Sequence, residues 1–283
     1  MSPPRLLVTG GSGYLGGEIV RRAAATGWSA VGTSFRRPGP MPLDVRDRAA
    51  VEAVTAAVRP DYVIHTAYLQ DGPEAWATNV TGTANVATTA AAAGARLVHL
   101  STDLVFDGRA GRPYREDDPV DPVLDYGRSK AAAERAALAA DPGAVLVRTS
   151  LIYGGEEPSG HERRILEVTD GAADFAFFTD ELRCPVRVAD LVDALLALVS
   201  IDAAGPLHLA GADGVSRYEF ACLVAAAHGR RTDHLRTTTS AETAPQRPRD
   251  CRLDCSRAAA LLGSALPGVR SVLGVRAASP PVA

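Results

Sequence analysis

The 283 residues carry a net charge of −3 with 46% hydrophobic and 22% charged residues, the balance of an ordinary globular chain. No basic surplus calls for nucleic acid, and the longest uncharged apolar run, Leu195 to Ile201, falls far short of the roughly 20 residues a membrane span requires. Met1 to Pro4 shows no charged leader before an apolar stretch, so a cytoplasmic chain is expected; Cys184, Cys222, Cys251 and Cys255 lack zinc-ligand spacing and predict free thiols and no metal site.

In chain order, Arg5 to Gly10 reads as a buried strand, and the segment from Gly13 to Thr26 as a helix stopped by Gly27. Ser29 to Ser34 repeats the strand signal, Asp47 caps a helix running to Val58, and Asp61 to Ala67 is a third strand. A helix over 73–93 ends at Gly94, a strand over Arg96 to Thr102 follows, and a helix over 127–140 leads to a strand over Ala144 to Ser150. Strands alternating with helices predict crossover units, hence an α/β fold with a doubly wound parallel sheet, a Rossmann domain, over 1–150.

After Ser150 the stretch Gly154 to Gly160 has the composition of a loop or lid, and a smaller mixed α/β substrate lobe is expected over 151–276. Val188 to Ser200 and Arg217 to His228 read as amphipathic helices, and Pro206 to Ala210 as a strand returning to the sheet. Residues 277–283, with Pro280 and Pro281, lack periodicity and read as a disordered tail.

Gly10, Gly13 and Gly16 stand three apart, directly after a strand and at the opening of a helix. In that context the first permits a tight turn, the second lets backbone approach a pyrophosphate, and the third lets helix pack on strand. No acid ends the second strand to meet a ribose 2′-hydroxyl. Ser34, Arg36 and Arg37 stand there instead, a hydroxyl and two guanidiniums suited to a 2′-phosphate, which favours NADP(H) over NAD(H). The alternative for the two arginines is a solvated surface pair. Asp44 is expected to reach the adenine amino group, with Val45 beside it.

Tyr126-Gly-Arg-Ser-Lys130 puts a phenol and an ammonium on one face of a helix start, about 5–6 Å apart at Cβ. Lys130 is expected to lower the tyrosine from its ordinary pKa of about 10 and to bind the cofactor ribose. Thr102 ends the fourth strand, while Thr66 and Ala67 follow the third, so all sit where open α/β sheets bind ligands. Thr102 would donate to a substrate carbonyl and Tyr126 would supply its proton; an ordinary strand-end hydroxyl is the alternative for Thr102. Asp103 and His161 are expected substrate contacts, whereas His65 and His99 read as core residues.

Four pieces then point to a family: Ser101-Thr-Asp-Leu-Val-Phe-Asp-Gly108, Tyr126 to Lys130 with Glu134, Arg148-Thr-Ser-Leu-Ile-Tyr-Gly154, and Arg247-Pro248 with Leu253-Asp254. Over nearly its full length the chain resembles the extended short-chain dehydrogenase/reductases, specifically the dTDP-4-dehydrorhamnose reductase group. The resemblance implies an NADPH-dependent reductase of a keto group on a nucleotide-linked deoxy sugar or related small substrate. It implies Thr102, Tyr126 and Lys130 as the catalytic set, Gly10, Ser12, Gly13, Tyr14 and Leu15 as the phosphate loop, and Ala67 and Tyr68 against the cofactor. Leu104 and Leu151 stand where the family presents an aromatic residue and a tryptophan to the sugar, so this substrate pocket is aliphatic. Two other functions share these residues: a sugar-nucleotide epimerase or dehydratase, and a non-catalytic NADP-binding regulatory subunit. The partner implied is a small molecule, with neither nucleic acid nor membrane, and a homodimer is the candidate assembly.

Overall fold

The computed structural model describes residues 3–36, 39, 41–242 and 246–274. Arg37 and the tail expected over 277–283 lie outside the described residues.

Strands β1 (Arg5–Thr9), β2 (Ser29–Gly32), β3 (Tyr62–His65), β4 (Arg96–Thr102) and β5 (Val145–Thr149), with a sixth strand, Gly205–His208, form one parallel sheet. Its order is sixth strand, β5, β4, β3, β1, β2. The pleat sends alternate residues to opposite faces, so both must be apolar. Leu6, Val8, Ile64, Val98, Val145 and Val147 enter one buried cluster; Leu7, Val63, Leu97 and Leu146 enter the other.

The helices are α1 (Tyr14–Ala25), α2 (Arg48–Val58), α3 (Gly82–Ala92), α4 (Asp125–Ala140), α5 (Gly160–Thr169), α6 (Val188–Leu198) and α7 (Arg217–Ala227). Ile19 and Ala23 of α1 and Leu191, Leu195 and Leu198 of α6 cover the first face. Val51 and Val54 of α2, Val86, Ala87 and Ala90 of α3 and Ala137 of α4 cover the second. A parallel sheet enclosed on both sides is the doubly wound architecture expected. The winding reverses at β1, which pairs with β2 on one side and β3 on the other, opening a crevice at the carboxyl ends of these strands.

A separate apolar cluster gathers Leu151, Tyr153, Ile165, Phe177, Phe220 and Val224 around α5 and α7. The segment after 151 thus builds its own core but also returns α6 and the sixth strand to the sheet.

Three elements differ from the sequence reading. β2 stops at Gly32, and Ser34 makes only an isolated bridge with Pro42 at the sheet edge. The helix expected from 73 begins as a widened π turn, Ala77–Thr81, before continuing as α3. α5 was not expected at all, although Ser159 and Glu162 close a capping box at its start, two reciprocal side-chain bonds that stabilise a helix entry. Its polar composition hid it directly after the presumed loop. No described helix is long and apolar enough to cross a membrane.

Candidate active site

The glycine loop is built around close approach. Gly10 has φ of 73°, and a Cβ there would lie 2.9 Å from the backbone of Ala67. At Gly16 a Cβ would lie 2.3 Å from the Gly10 carbonyl oxygen, so any side chain would force α1 away from β1. α1 starts after Gly13 with no side-chain cap and no acid in its first turn. Its first amides and the positive end of its dipole therefore remain available to an anion.

This loop forms one wall of a cleft of about 630 Å³ at the carboxyl ends of β1, β3 and β4. Gly10, Gly13, Tyr14, Leu15, Gly16, Thr66, Tyr68, Thr102, Asp103, Leu104, Tyr126, Lys130, Leu151 and His161 all line it. The fold thus brings most of the expected residues into one space. Ser12, Ala67, Ser34, Arg36, Asp44 and Val45 are not part of its lining. Ala67 packs under Gly10, Val45 is buried against Gly82, and buried Ser34 pairs through its backbone with Met41 and Leu43.

The rim after β2 is a charge network. Exposed Arg36 pairs with Glu74, and Arg46 pairs with the same Glu74 at 2.6 Å while holding both oxygens of Asp44 at 2.7–3.0 Å. Arg46, whose guanidinium lies 5.3 Å from the Phe35 ring centre, keeps the Asp44 carboxyl below its ordinary range. Asp44 is therefore committed to an internal cation, a partner that spacing alone did not reveal.

Lys130 Nζ donates to the Leu100 carbonyl oxygen at 2.5 Å and lies 3.4 Å from His99 Nε2. Burial lowers the lysine to about 8, opposed by the charge of Glu134. The Tyr126 ring sits 5.8 Å from that of Tyr68, and burial, then Tyr68 and Asp103, push its phenol well above the ordinary value. The lowering expected from Lys130 is not found. Desolvation of the phenolate outweighs it, and the ammonium is directed to a backbone carbonyl.

Thr102 Oγ1 donates to Asp103 Oδ1 at 3.2 Å and accepts from the Leu104 amide at 3.2 Å. Asp103 is 3% exposed; it also accepts from Ser150 Oγ at 2.7 Å and lies 3.8 Å from Arg183. His65 and His99 stack at 5.1 Å within the sheet, as core residues do. His65 is further held by Thr9 at 2.5 Å and Thr83 at 3.0 Å.

Comparison with known proteins follows from this geometry. The model of the RmlD substrate binding domain matches residues 4–277. The chain belongs to that family. Methionine adenosyltransferase 2 subunit beta of Bos taurus is 32% identical over 273 residues, covering 89% of this chain and 81% of the relative. The dTDP-4-dehydrorhamnose reductase of Mycobacterium tuberculosis (strain ATCC 25618 / H37Rv) is 35% identical over 257 residues, covering 87% and 82%. In fold, the crystal structure of dTDP-4-dehydrorhamnose reductase from Bacillus anthracis str. Ames in complex with NADP is similar, with a TM-score of 0.84 at 24% identity over 96% of this chain and 97% of that one.

Within this RmlD-type fold, Asn79, Glu181, Arg183 and Arg217 escaped the sequence reading, whereas Glu134, Arg148 and Arg247 were marked there only by the family resemblance. Asn79, in the π turn, accepts from the Leu69 amide and donates to the Leu69 carbonyl and to Ser129, each at 2.9 Å. It pins the loop carrying Tyr68 to the helix carrying Tyr126 and Lys130. A π turn interrupting a helical pattern has no reliable sequence mark. Glu134 accepts from Arg148 at 2.8 Å and from Ser101 at 2.5 Å, joining α4 to β5 and β4. Glu181, Arg183, Arg217 and Arg247 also line the cleft. They come from distant segments that only the fold brings together. Among the described residues no group of His, Cys, Asp or Glu is placed to hold a metal, and all four cysteines are free.

Proposed function

We propose that this chain is an NADPH-dependent reductase of a keto group on a nucleotide-linked deoxy sugar or a related small substrate. Residues 1–150 would form its cofactor domain and 151–276 mainly its substrate lobe. One observation carries this reading: Thr102, Tyr126 and Lys130 share a cleft with the glycine loop and the open amino end of α1. A reductase at 35% identity and a similar fold solved with NADP support it.

The residues present fit a dinucleotide. Gly10 and Gly16 leave no room for a Cβ where the loop must lie close to a pyrophosphate, and Ser12, Gly13, Tyr14 and Leu15 continue that cradle toward the α1 amides. Ser34, Arg36 and Arg37 would receive the 2′-phosphate, with NAD(H) the weaker ligand. Asp44 and Val45 would lie near the adenine, and Thr66, Ala67 and Tyr68 alongside the cofactor. When bound, the nicotinamide supplies a hydride.

The rest is the work of side chains. With its pKa raised, Tyr126 remains protonated at neutral pH and can give its proton to the carbonyl oxygen. The Lys130 ammonium, four residues on along α4, would turn from the Leu100 carbonyl oxygen to the ribose and to the phenolate that remains. Thr102 turns its hydroxyl from Asp103 to the same carbonyl oxygen, while Asp103 holds the strand end in place. Leu104, Leu151 and His161 would border the substrate. The proposed setting is the cytoplasm, with a homodimer as the assembly to test.

The subunit beta sequences, 32% identical, favour a second reading, a nucleotide-binding subunit without turnover. The intact Thr102, Tyr126 and Lys130 set weighs against it. Purified protein, NADPH and a panel of nucleotide-linked keto sugars, followed at the nicotinamide absorbance, decide the matter. Stoichiometric NADPH oxidation is expected, lowered about 10²–10⁴-fold by Tyr126→Phe with cofactor affinity kept. Turnover without net oxidation indicates an epimerase or dehydratase, and no turnover with any sugar removes the reductase.

A further inference from the structure

One side chain joins the glycine loop to the substrate lobe. Tyr14 is the first residue of α1, so its backbone belongs to the phosphate cradle, yet its ring leaves the cradle and lies against the segment that follows Tyr153. The Gly155 amide donates to Tyr14 Oη at 2.8 Å, the one hydrogen bond of that hydroxyl among the described residues. A Cβ on Gly155 would lie 2.8 Å from Oη and 3.1 Å from Cε2 and Cζ, so the phenol rests directly on bare backbone.

The segment 154–159 is otherwise held by its own lobe. Glu162, 5% exposed, accepts from the Gly154 amide through Oε1 at 3.1 Å and from the Ser159 amide through Oε2 at 2.9 Å, which pins both ends of the segment to the first turn of α5. A second link to α1, Arg21 with Glu156 at 2.8 Å, joins side chains 55% and 79% exposed, and such surface pairs contribute little. Tyr14 is therefore the main tie between α1 and this segment among the described residues. From α5, Gly160 and His161 line the same cleft as Thr102 and Tyr126. The first amides of α1 have no side-chain cap, and a helix end in that state opens more readily than one whose amides hold an anion.

We propose that Tyr14 is a positioning residue that couples the glycine loop to the substrate side of the cleft, an inference that rests on reading that loop as a dinucleotide site. A pyrophosphate on the first amides of α1 fixes Tyr14, Tyr14 holds Gly155, and Glu162 carries that order into the start of α5. The segment 154–160 is thus held more firmly when the loop is filled than when it is empty. Ordering already supplied by the cofactor need not be supplied by the substrate, so the two ligands favour each other, and by linkage the effect is mutual.

The test is hydrogen–deuterium exchange of the full chain with and without saturating NADP, read by mass spectrometry. In the wild type, NADP is expected to slow exchange both in the glycine loop and, about three- to tenfold, in 154–160. Tyr14→Phe keeps the ring and removes the acceptor; it should retain the protection of the glycine loop and lose that of 154–160. Gly155→Ala approaches the same contact from the other side, because Gly155 does not have a positive φ and its backbone accepts alanine while the new Cβ displaces the phenol. The double variant should be no worse than either single one. A merely structural tyrosine would speed exchange equally with and without NADP, so protection of 154–160 that persists in both variants overturns the coupling. NADP protection confined to the glycine loop of the wild type overturns it too and leaves the dinucleotide reading standing. Protection nowhere, the glycine loop included, removes that reading and the coupling together. On a keto sugar that the chain reduces, Tyr14→Phe should raise KM about three- to tenfold with kcat unchanged, and an unchanged KM overturns the link to substrate.

Discussion

Lys130 donates to the carbonyl oxygen of Leu100 at 2.5 Å, while Glu134, the acid whose charge supports the ammonium, is itself held by Arg148 and Ser101. Lys130 is the only lysine among the chain's 30 lysine and arginine residues. A guanidinium is larger and planar, and cannot take the place of a compact ammonium that is 3% exposed and held on a backbone carbonyl. Lys130→Arg is therefore expected to keep the charge but lose activity, read as NADPH oxidation in the steady state.

The same burial makes stability depend on alkaline pH. Lys130 falls from an ordinary 10.5 to about 8 in the fold, so between these values the unfolded chain binds more protons than the folded one. The lysine's contribution to stability should then rise with pH across that window, and this contribution is lost as pH falls through about 8. No other lysine titrates there. Cys184, Cys251, Cys255 and Tyr126, whose pKa values burial raises, act in the opposite direction there. The lysine is therefore read as a difference: from pH 8 to 10.5 the urea midpoint of the wild type should gain on that of Lys130→Met, and parallel curves for the two proteins would place the lysine in water.

Glu74 neutralises Arg36 and Arg46 together, two of the cations best placed to meet a 2′-phosphate. Glu74→Gln should free both and tighten NADPH relative to NADH. Because Glu74 is 41% exposed, the gain is modest, about two- to fivefold, in line with surface ion pairs of under ~1 kcal/mol. Arg36→Ala should move the ratio the other way. Fluorescence titration of both cofactors checks this, and equal changes for NADPH and NADH would show that these arginines never meet the phosphate.

Glu134 and Arg148 form a bidentate pair at 6% and 3% side-chain exposure. Removing one partner strands the other charge in a dry core, so Glu134→Ala should cost about 3–5 kcal/mol of unfolding free energy. Glu134→Leu combined with Arg148→Met leaves neither charge buried and should cost far less than the single change. Urea denaturation of the three proteins measures the difference, and an additive double variant would contradict this account.

How much of this was legible depended on whether a residue acts through its own segment. β1, the glycine loop and α1 were readable because turn, amide cradle and packing contact lie within a dozen neighbouring residues. Tyr126 and Lys130 were readable for the same reason, being one helical turn apart. The depressed Lys130 and the raised Tyr126 were not, because desolvation depends on what covers a group, which spacing does not encode. The ion pair of Asp44 with Arg46, two residues later, was not legible either, because spacing does not say that the arginine turns back onto it. Arg183 and Arg217 carry no local pattern, and Arg247 is marked only by its place in the Arg247-Pro248 pair. Their meaning comes from meeting at one end of the cleft.

The two leucines bear on the substrate itself. Leu104 is half-buried in the cleft lining, whereas Leu151 is 9% exposed and packs with Tyr153 and Phe220. Neither offers the flat face on which a hexose stacks, so the wall they form gives nondirectional apolar contact. Weak activity on dTDP-4-dehydrorhamnose is expected, with kcat/KM below the ~10⁴ M⁻¹s⁻¹ of a working enzyme, while another ketone is reduced at the same site. Leu104→Tyr has cleft space to enter and should raise efficiency on that sugar. Leu151→Trp must displace core neighbours and should cost about 1–3 kcal/mol of stability, so any gain from it requires a lower temperature or a compensating smaller residue. Steady-state kinetics on dTDP-4-dehydrorhamnose for the wild type and Leu104→Tyr, with thermal melts of both and of Leu151→Trp, separate stacking from folding. If the wild type already reaches ~10⁴ M⁻¹s⁻¹ on this sugar, an aliphatic wall suffices for the hexose and the leucines do not mark a different substrate.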